Sequence, residues 1–254
     1  MEKQNLHISL QGKGGVGKSY ISAFLIQYIQ DKSGNVIGVD TDTSNRTLAD
    51  IKFKSDVMSL ELMQDNKISV AKFDDLIMFL LDLKDKPDVV IDVGSNSFLP
   101  LVNYLLESDI INLVLSNQYN IILHIPVVGG EAMPDTLNGL EQLIRAFKTS
   151  CTYVVYANEH FGKLTDKNGK SFEEMESYTK NKKYIHGLVY LPKNPELITL
   201  AIEKMKKAKT TFEGVLKDES FNILDKSRIG IVKNDIWTKL ALVLDQPTQS
   251  TKEK

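Results

Sequence analysis

The sequence has very few of the side chains that form disulfide bonds or bind structural metals. Its 254 residues include one cysteine, Cys151, and four histidines, His7, His124, His160 and His186. A single cysteine excludes an internal disulfide and a cysteine metal cluster, and the histidines are too far apart to form a local ligand pair. We therefore predict neither a zinc site nor a disulfide framework, and we expect Cys151 to be an inert residue of a buried strand.

The chain also has little net charge and lacks long apolar runs. The formal net charge is −2 at pH 7, so no overall field attracts the chain to nucleic acid or to an anionic membrane. No apolar run approaches the ~20 residues that cross a bilayer, and the nearest is IILHIPVV at 121–128. The N-terminal segment lacks the pattern of a cleaved signal peptide. We expect a cytoplasmic protein without stable membrane insertion.

What remains is the composition of an ordinary globular domain. Apolar residues make up 42% of the chain and charged residues 25%, close to the averages for soluble proteins. A chain of this length can bury most of its apolar surface around one core. We predict a single domain over residues 1–245, followed by a flexible polar tail over 246–254.

Apolar strands alternate with amphipathic helices along the chain. The apolar runs predict strands at 6–10, 36–40, 88–92, 121–128, 152–157 and 186–192. Helical spacing predicts helices at 18–31, 45–53, 71–83, 98–108, 109–118, 133–147, 194–208 and 219–244. The alternation predicts an α/β three-layer sandwich of the P-loop type, with a mostly parallel sheet flanked by helices on both faces. Ligands of such a sheet bind beyond the carboxyl ends of its strands.

A phosphate-binding motif lies between the first strand and the first helix. Residues 12–19, GKGGVGKS, match the pattern GxxxxGK[ST]. Glycines let main-chain N–H groups curl around a phosphate, and the start of the helix adds a positive dipole end. We expect Lys18 to contact the β and γ phosphate oxygens and the Ser19 hydroxyl to bind Mg²⁺. The predicted phosphate-binding set is Gly12, Lys13, Gly14, Gly15, Val16, Gly17, Lys18, Ser19 and Tyr20.

The motif has a second lysine, Lys13, at the start of the loop. From that position its side chain should project away from the phosphate held by its own chain. The segment KGGVGKS resembles the deviant Walker A motif of ParA/MinD-type ATPases. The resemblance implies an ATP-sandwich homodimer in which Lys13 reaches the nucleotide of the facing subunit and supplies positive charge during phosphoryl transfer. It also implies ATP or ADP and Mg²⁺ as ligands. A solvated lysine is the alternative.

Acidic residues follow two of the predicted strands. Asp40 ends one strand and Asp42 comes two residues later, so both could face the same site. By resemblance to the first ParA/MinD switch, Asp42 orients the attacking water and Asp40 binds Mg²⁺ through water, with a helix or turn cap as the other role of Asp40. Asp92 resembles the acid of the second switch, which holds the water shell of the metal. The chain continues with VGSNSF where relatives commonly have proline, so we expect slow or partner-dependent hydrolysis.

Resemblance extends over more of the chain. Asn158 follows the strand 152–157, where related ATPases often have an asparagine that reads the adenine edge, although asparagine also commonly ends strands. Segments such as LQGKGGVGKS, DVVID and DESFNI are similar to the TraL family of conjugal-transfer proteins. That likeness implies a cytoplasmic nucleotide-binding protein that supports plasmid transfer, with components of the conjugation or type IV secretion apparatus as candidate partners.

Several alternatives remain open at this point. The chain could be an ATP-binding assembly scaffold with little turnover, or an amidoligase of the dethiobiotin synthetase type with a carboxylate-binding pocket. The lysines between 204 and 209 could contact DNA phosphates non-specifically or form a solvated helix face. The apolar spacing over 228–245 favours a docked helix rather than a membrane-surface helix.

Overall fold

The computed structural model describes residues 3–42, 47–64 and 67–245. The strands in chain order are β1 (Gln4–Ser9), β2 (Val36–Asp40), β3 (Val57–Ser59), β4 (Met63–Gln64), β5 (Lys67–Ile68), β6 (Asp88–Asp92), β7 (Tyr119–Val128), β8 (Thr152–Asn158) and β9 (Ile185–Leu191). The helices are α1 (Lys18–Lys32), α2 (Val70–Asp82), α3 (Phe98–Glu107), α4 (Ile110–Leu113), α5 (Met133–Phe147), α6 (Glu176–Thr179), α7 (Glu196–Lys207), α8 (Phe212–Lys217) and α9 (Ile223–Leu244).

Seven of the described strands form one sheet, in the order β3-β2-β6-β1-β7-β8-β9, and every neighbouring pair is parallel. Helices α1, α7, α8 and α9 cover one face of this sheet, and α2, α3, α4 and α5 cover the other. Because both faces are buried, the central strands have nearly continuous apolar sequences rather than alternating ones. The predicted α/β sandwich with helices on both faces is confirmed.

Most predicted elements agree with the structure within one or two residues, and the helix at 133–147 agrees at both ends. The helix predicted at 45–53 is wrong for its described part, since residues 47–51 form a turn and a bend and residues 52–53 have no regular structure. The short edge strand β3 and the antiparallel pair of β4 and β5 were not predicted. The predicted tail at 246–254 lies outside the described residues, so the domain boundary at 245 stays a prediction.

The last helix is docked on the body of the protein, as its apolar spacing predicts. The buried side chains of α9 are Ile229, Val232, Ile236, Leu240 and Val243. Across the described part of the chain, no single helix is long and apolar enough to cross a membrane. Only when taken together do Ser95–Glu107 and Ile110–Asn117, which are bent by 60° relative to each other, have the length and apolar composition of a membrane span among the described residues.

Three buried residues with polar rings, His7, His124 and Tyr156, form a row on the α1 side of the sheet. His7 Nδ1 lies 2.9 Å from His124 Nε2, and His124 Nδ1 lies 2.9 Å from the Tyr156 hydroxyl. Both imidazoles are almost fully buried. Burial lowers the pKa of His7 to about 4 and that of His124 well below its ordinary value, and the charge of His7 acts on His124 in the same direction.

These histidines predict a pH dependence of stability. Below about pH 6.5 an unfolded imidazole takes up a proton that the folded His7 does not bind until about pH 4, so stability is lost as the pH falls through that window. Relative to a His7→Leu/His124→Leu double variant, the wild-type chain should lose at least about 3 kcal/mol of unfolding free energy between pH 7.5 and 4, as measured by urea denaturation. The exposed His160→Gln variant should follow the wild type. Parallel pH profiles for the wild type and the double variant would contradict the assignment.

Candidate functional site

The phosphate loop lies at the carboxyl edge of the sheet, between β1 and α1. Gly15 and Gly17 adopt left-handed φ angles of 74° and 107°, which a side chain at either position would strain. Gly17 is also the N-cap of α1, and as a glycine it supplies no side-chain cap to the first N–H groups of the helix. The loop therefore offers several main-chain donors and a positive helix end to an anion.

A glutamine that the sequence analysis did not single out anchors the start of this loop. Gln11 is 1% exposed, and its Nε2 donates to the carbonyl oxygens of Pro126 and Thr136, both at 3.0 Å. Its Oε1 accepts the N–H of Gly12 at 2.9 Å. A Cβ at Gly139 would lie 2.0 Å from Gln11 Oε1, so a larger residue there would displace the Gln11 amide from these hydrogen bonds. Gln11 thus joins the loop to β7 and α5.

Lys18, the first residue of α1, is the buried cation of the site. It is 8% exposed, and its Nζ donates to the Lys13 carbonyl oxygen at 3.1 Å. Burial lowers the pKa of Lys18, while the charges of Asp92 and Asp42 act in the opposite direction. An ammonium that has lost part of its hydration and faces phosphate-binding N–H groups gains strongly from a polyanion.

Ser19 and Asp92 lie together beside Lys18. Asp92 is 1% exposed, and it hydrogen-bonds with Ser19 and accepts from Ser22 Oγ at 3.3 Å. Burial, opposed by the hydrogen bond with Ser19 and the charge of Lys18 and assisted by the charge of Asp40, raises the pKa of Asp92 to about 6. A hydroxyl and a carboxylate side by side are oxygen ligands of the kind that Mg²⁺ prefers, and a bound divalent cation would hold this acid ionised. The side chains present therefore fit a magnesium ion.

The Asp40 carboxylate accepts hydrogen bonds from main-chain N–H groups of residues that follow β2. Its Oδ1 accepts the N–H of Asp42 at 3.0 Å, and its Oδ2 accepts those of Leu48 and Ala49 at 3.1 and 2.9 Å. This is the turn-capping role that the sequence left open. A carboxylate has about four acceptor positions, so a water-mediated contact to Mg²⁺ stays a prediction for Asp40.

The strand register brings the predicted acids to one place. Asp40 and Asp92 are direct partners in the pairing of β2 with β6. Asp42 approaches the segment after β6, because a Cβ at Gly94 would lie 3.3 Å from Asp42 Cβ. Ser95 Oγ would similarly lie 3.4 Å from a Cβ at Gly14. Asp42 therefore contacts the segment that follows β6, and that segment contacts the phosphate loop.

Two cavities open on either side of the first turn of α1. The first, of about 690 Å³, runs along α1 between residues 47–51 and the end of α7, and Lys18, Ser19 and Asp42 line one end of it. The second, of about 430 Å³, lies between the ends of β8 and β9 and the helices α7 and α9. Four residues line both cavities: Gly15, Gly17, Tyr20 and Lys206.

Asn158 lines the second cavity at the end of β8. Its Nδ2 donates to the Val16 carbonyl oxygen at 3.2 Å, and its Oδ1 accepts the N–H of His160 at 3.1 Å. In this structure the amide ties β8 to the phosphate loop and to the loop that follows β8. Asn158 borders the expected position of the nucleotide, and its role in recognising adenine stays a prediction.

Lys13 points away from the phosphate loop, as expected from the sequence. Its Nζ forms an ion pair with Asp135 Oδ2 at 2.8 Å near the start of α5, and this hydrogen bond raises its pKa. Among the described residues that line the two cavities, Lys13 is absent. The sequence did not indicate Asp135 as a partner, because 122 residues separate the two side chains.

Comparison with known proteins agrees with this geometry. Residues 8–236 match the CobQ/CobB/MinD/ParA nucleotide binding domain. Two curated relatives, each a Protein TraL of Escherichia coli, are 36% and 33% identical over 236 residues, which is 92% of this chain and 96% of each relative.

Solved structures show the same fold at low sequence identity. The ParA family ATPase from Chlorobium tepidum TLS is 15% identical with a TM-score of 0.52, and the match covers 90% of this chain and 97% of that one. A chain of the MinC:MinD cell division protein complex of Aquifex aeolicus also gives 15% identity and a TM-score of 0.52, over 90% and 96%. The chain belongs to the CobQ/CobB/MinD/ParA family of nucleotide-binding domains.

Proposed function

We propose that this chain is a magnesium-dependent ATPase of the ParA/MinD type, with slow hydrolysis coupled to ATP-dependent homodimerisation. One observation carries most of the proposal. Lys18, Ser19 and the glycines of the loop line the end of one cavity, and the buried carboxyl of Asp92 lies directly behind Ser19. This arrangement neutralises a polyphosphate without contacting a base.

The residues around this point have separate roles in phosphoryl transfer. Lys18 holds the β and γ phosphate oxygens, and Ser19 with Asp92 would hold Mg²⁺, directly and through its water shell. When bound, the metal stabilises negative charge on the transferred phosphoryl group. Asp42 stands on the wall of the same cavity and orients the attacking water. Asp40 holds Asp42, Leu48 and Ala49 in place through hydrogen bonds from their main-chain N–H groups.

Lys13 contributes its charge to the facing subunit of a dimer. In the single chain it is paired with Asp135, and both side chains are largely exposed, at 45% and 58%. Exposed ion pairs are weak, so Lys13 can exchange Asp135 for phosphate oxygens when a second subunit approaches. The protomer then lacks one cation of its own transition-state site until the dimer forms, which couples hydrolysis to association.

We assign the second cavity to the base of the nucleotide. Asn158 and Tyr20 border that cavity next to the phosphate loop, and Leu191, Pro192 and Ile236 give it apolar walls. A flat heterocycle suits such a mixed lining. The preference for adenine rests on the family resemblance and on Asn158.

The biological setting is inferred from similarity. The two TraL relatives match nearly their whole length to this chain. We therefore propose that the protein supports plasmid conjugal transfer in the cytoplasm, with components of the conjugation or type IV secretion apparatus as partners.

We expect ATP with Mg²⁺ to double the mass of the 28.6 kDa chain in size-exclusion chromatography with light scattering, while ADP does not. Lys13→Ala should bind ATP with unchanged affinity but reduce single-turnover hydrolysis to background, because the charge supplied in trans is lost. Lys167→Ala, which removes an exposed lysine of a turn that lines neither cavity, is the matched control and should hydrolyse ATP at the wild-type rate.

Three outcomes would change this proposal. Normal hydrolysis by a monomeric Lys13→Ala variant would contradict the role in trans. ATP-dependent dimers that convert no ATP, with or without DNA and transfer-apparatus proteins, would indicate the assembly scaffold. ADP formation only in the presence of a small carboxylic acid would indicate an amidoligase.

A further inference from the structure

The lysines at the end of α7 differ in their partners and do not form a uniform basic face. Lys204 Nζ donates to Asp225 Oδ2 at 2.7 Å, and Lys209 Nζ donates to Asp50 Oδ2 at 2.5 Å. Lys206 instead lies over the ring of Tyr20, with its Nζ 4.3 Å from the ring centroid. No carboxylate of the described residues lies within ion-pair distance of the Lys206 ammonium.

Tyr20 fixes this ammonium beside the phosphate loop. Tyr20 directly follows Ser19, and its ring contacts the edge of Phe24 with centroids 3.9 Å apart. Tyr20 and Lys206 form the partition between the two cavities, because both cavities are lined by this pair together with Gly15 and Gly17. A nucleotide whose phosphates lie on the loop and whose base lies in the second cavity must pass this partition.

The ammonium of Lys206 is partly desolvated, and it forms no ion pair with a described carboxylate. The side chain is exposed by surface area, but the surrounding walls still lower its pKa, with the charge of Glu203 acting in the opposite direction. A cation over an aromatic ring is held weakly, and a lysine side chain is long and flexible. Such a group can leave the ring for a stronger anionic partner without breaking an ion pair.

We propose that Lys206 is a nucleotide-contacting residue whose ammonium moves from Tyr20 to the phosphate groups nearest the base. This inference rests on the proposed function, since it assigns a further contact in the same site. Lys18 at the loop holds the terminal phosphates, and Lys206 contacts the part of the polyphosphate that ATP and ADP share. As a point charge it adds affinity without selecting a base.

The test compares Lys206→Ala with Lys207→Ala by calorimetric titration of ATP, ADP and adenosine in the presence of Mg²⁺. Lys207 is the adjacent exposed lysine of the same helix and is the matched control. We expect Lys206→Ala to raise the Kd for ATP and for ADP about tenfold each and to leave adenosine unchanged. Lys207→Ala should stay within about twofold of the wild type for all three ligands.

Two further measurements test the charge itself. Lys206→Arg should restore most of the affinity. As the salt concentration rises, Lys206→Ala should lose less affinity for ATP and ADP than the wild type does.

Equal Kd values for ADP in the wild type and Lys206→Ala would overturn the inference, as would an equal loss in Lys207→Ala, which would indicate a general surface field. Circular dichroism of each variant verifies the fold. Failure of the proposed function has a different signature, because the wild-type chain would then bind neither ATP nor ADP.

Discussion

Replacing Lys18 by alanine is expected to abolish measurable nucleotide binding, with the Kd for ATP and for ADP rising by at least about 100-fold. Lys18 is the buried cation of the loop, and its amine stands beside Asp92 and Asp42. Without it, the triphosphate meets two carboxylates whose charge is no longer balanced. The measurement is calorimetric titration with each nucleotide and Mg²⁺.

The same variant should not be less stable than the wild type. Folding removes part of the hydration of the Lys18 ammonium, which is why burial lowers its pKa, and alanine avoids that desolvation cost. Alanine also has the highest intrinsic helix propensity, so it is compatible with the first turn of α1. A retained or raised Tm together with lost binding would separate a lost ligand contact from misfolding.

Lys32→Ala provides the matched control at the other end of α1. Lys32 forms an ion pair with Asp245 at 2.6 Å, far from the phosphate loop, and its removal should leave both Kd values unchanged. Tight ATP binding by Lys18→Ala would contradict the assignment of the site itself.

A second large effect is expected from Gly129→Ala at the end of β7. A Cβ at Gly129 would lie 2.2 Å from the Gly162 carbonyl oxygen and 2.5 Å from that of Lys163. Both contacts are with main-chain atoms, so no change of side-chain rotamer relieves them. We expect a loss of about 3 kcal/mol or more of unfolding free energy in urea denaturation.

This substitution should also disturb the second cavity. The loop that packs closely against Gly129 includes His160 and Phe161, which line that cavity. Gly230→Ala is the matched control, because a Cβ there has nothing within 4 Å and the residue lies inside α9. That variant should gain about 0.5–1 kcal/mol through helix propensity. Equal stability of the two variants would show that the loop moves away from β7 at little cost.

Local patterns explain why much of the fold and part of the site could be predicted. The strand–loop–helix unit over residues 4–32 depends on short-range periodicity and on glycines at defined positions. The convergence of Asp40 and Asp92 follows from a general rule, since parallel strands place their carboxyl ends at one edge. The helix predicted at 45–53 failed in its described part because Asp40, outside that window, holds the N–H groups of Leu48 and Ala49 in a turn.

By itself, the sequence determined the alternation of strands and helices, the phosphate loop and the identity of its buried lysine, because each is encoded within a short window of residues. Only the tertiary structure decided which strands are neighbours and which distant side chains meet at the loop. Gln11 with Thr136, Lys13 with Asp135 and Lys206 with Tyr20 are contacts of this kind. They depend on how helices pack on the finished sheet, and pairs separated by more than a hundred residues leave no periodic signal in the chain.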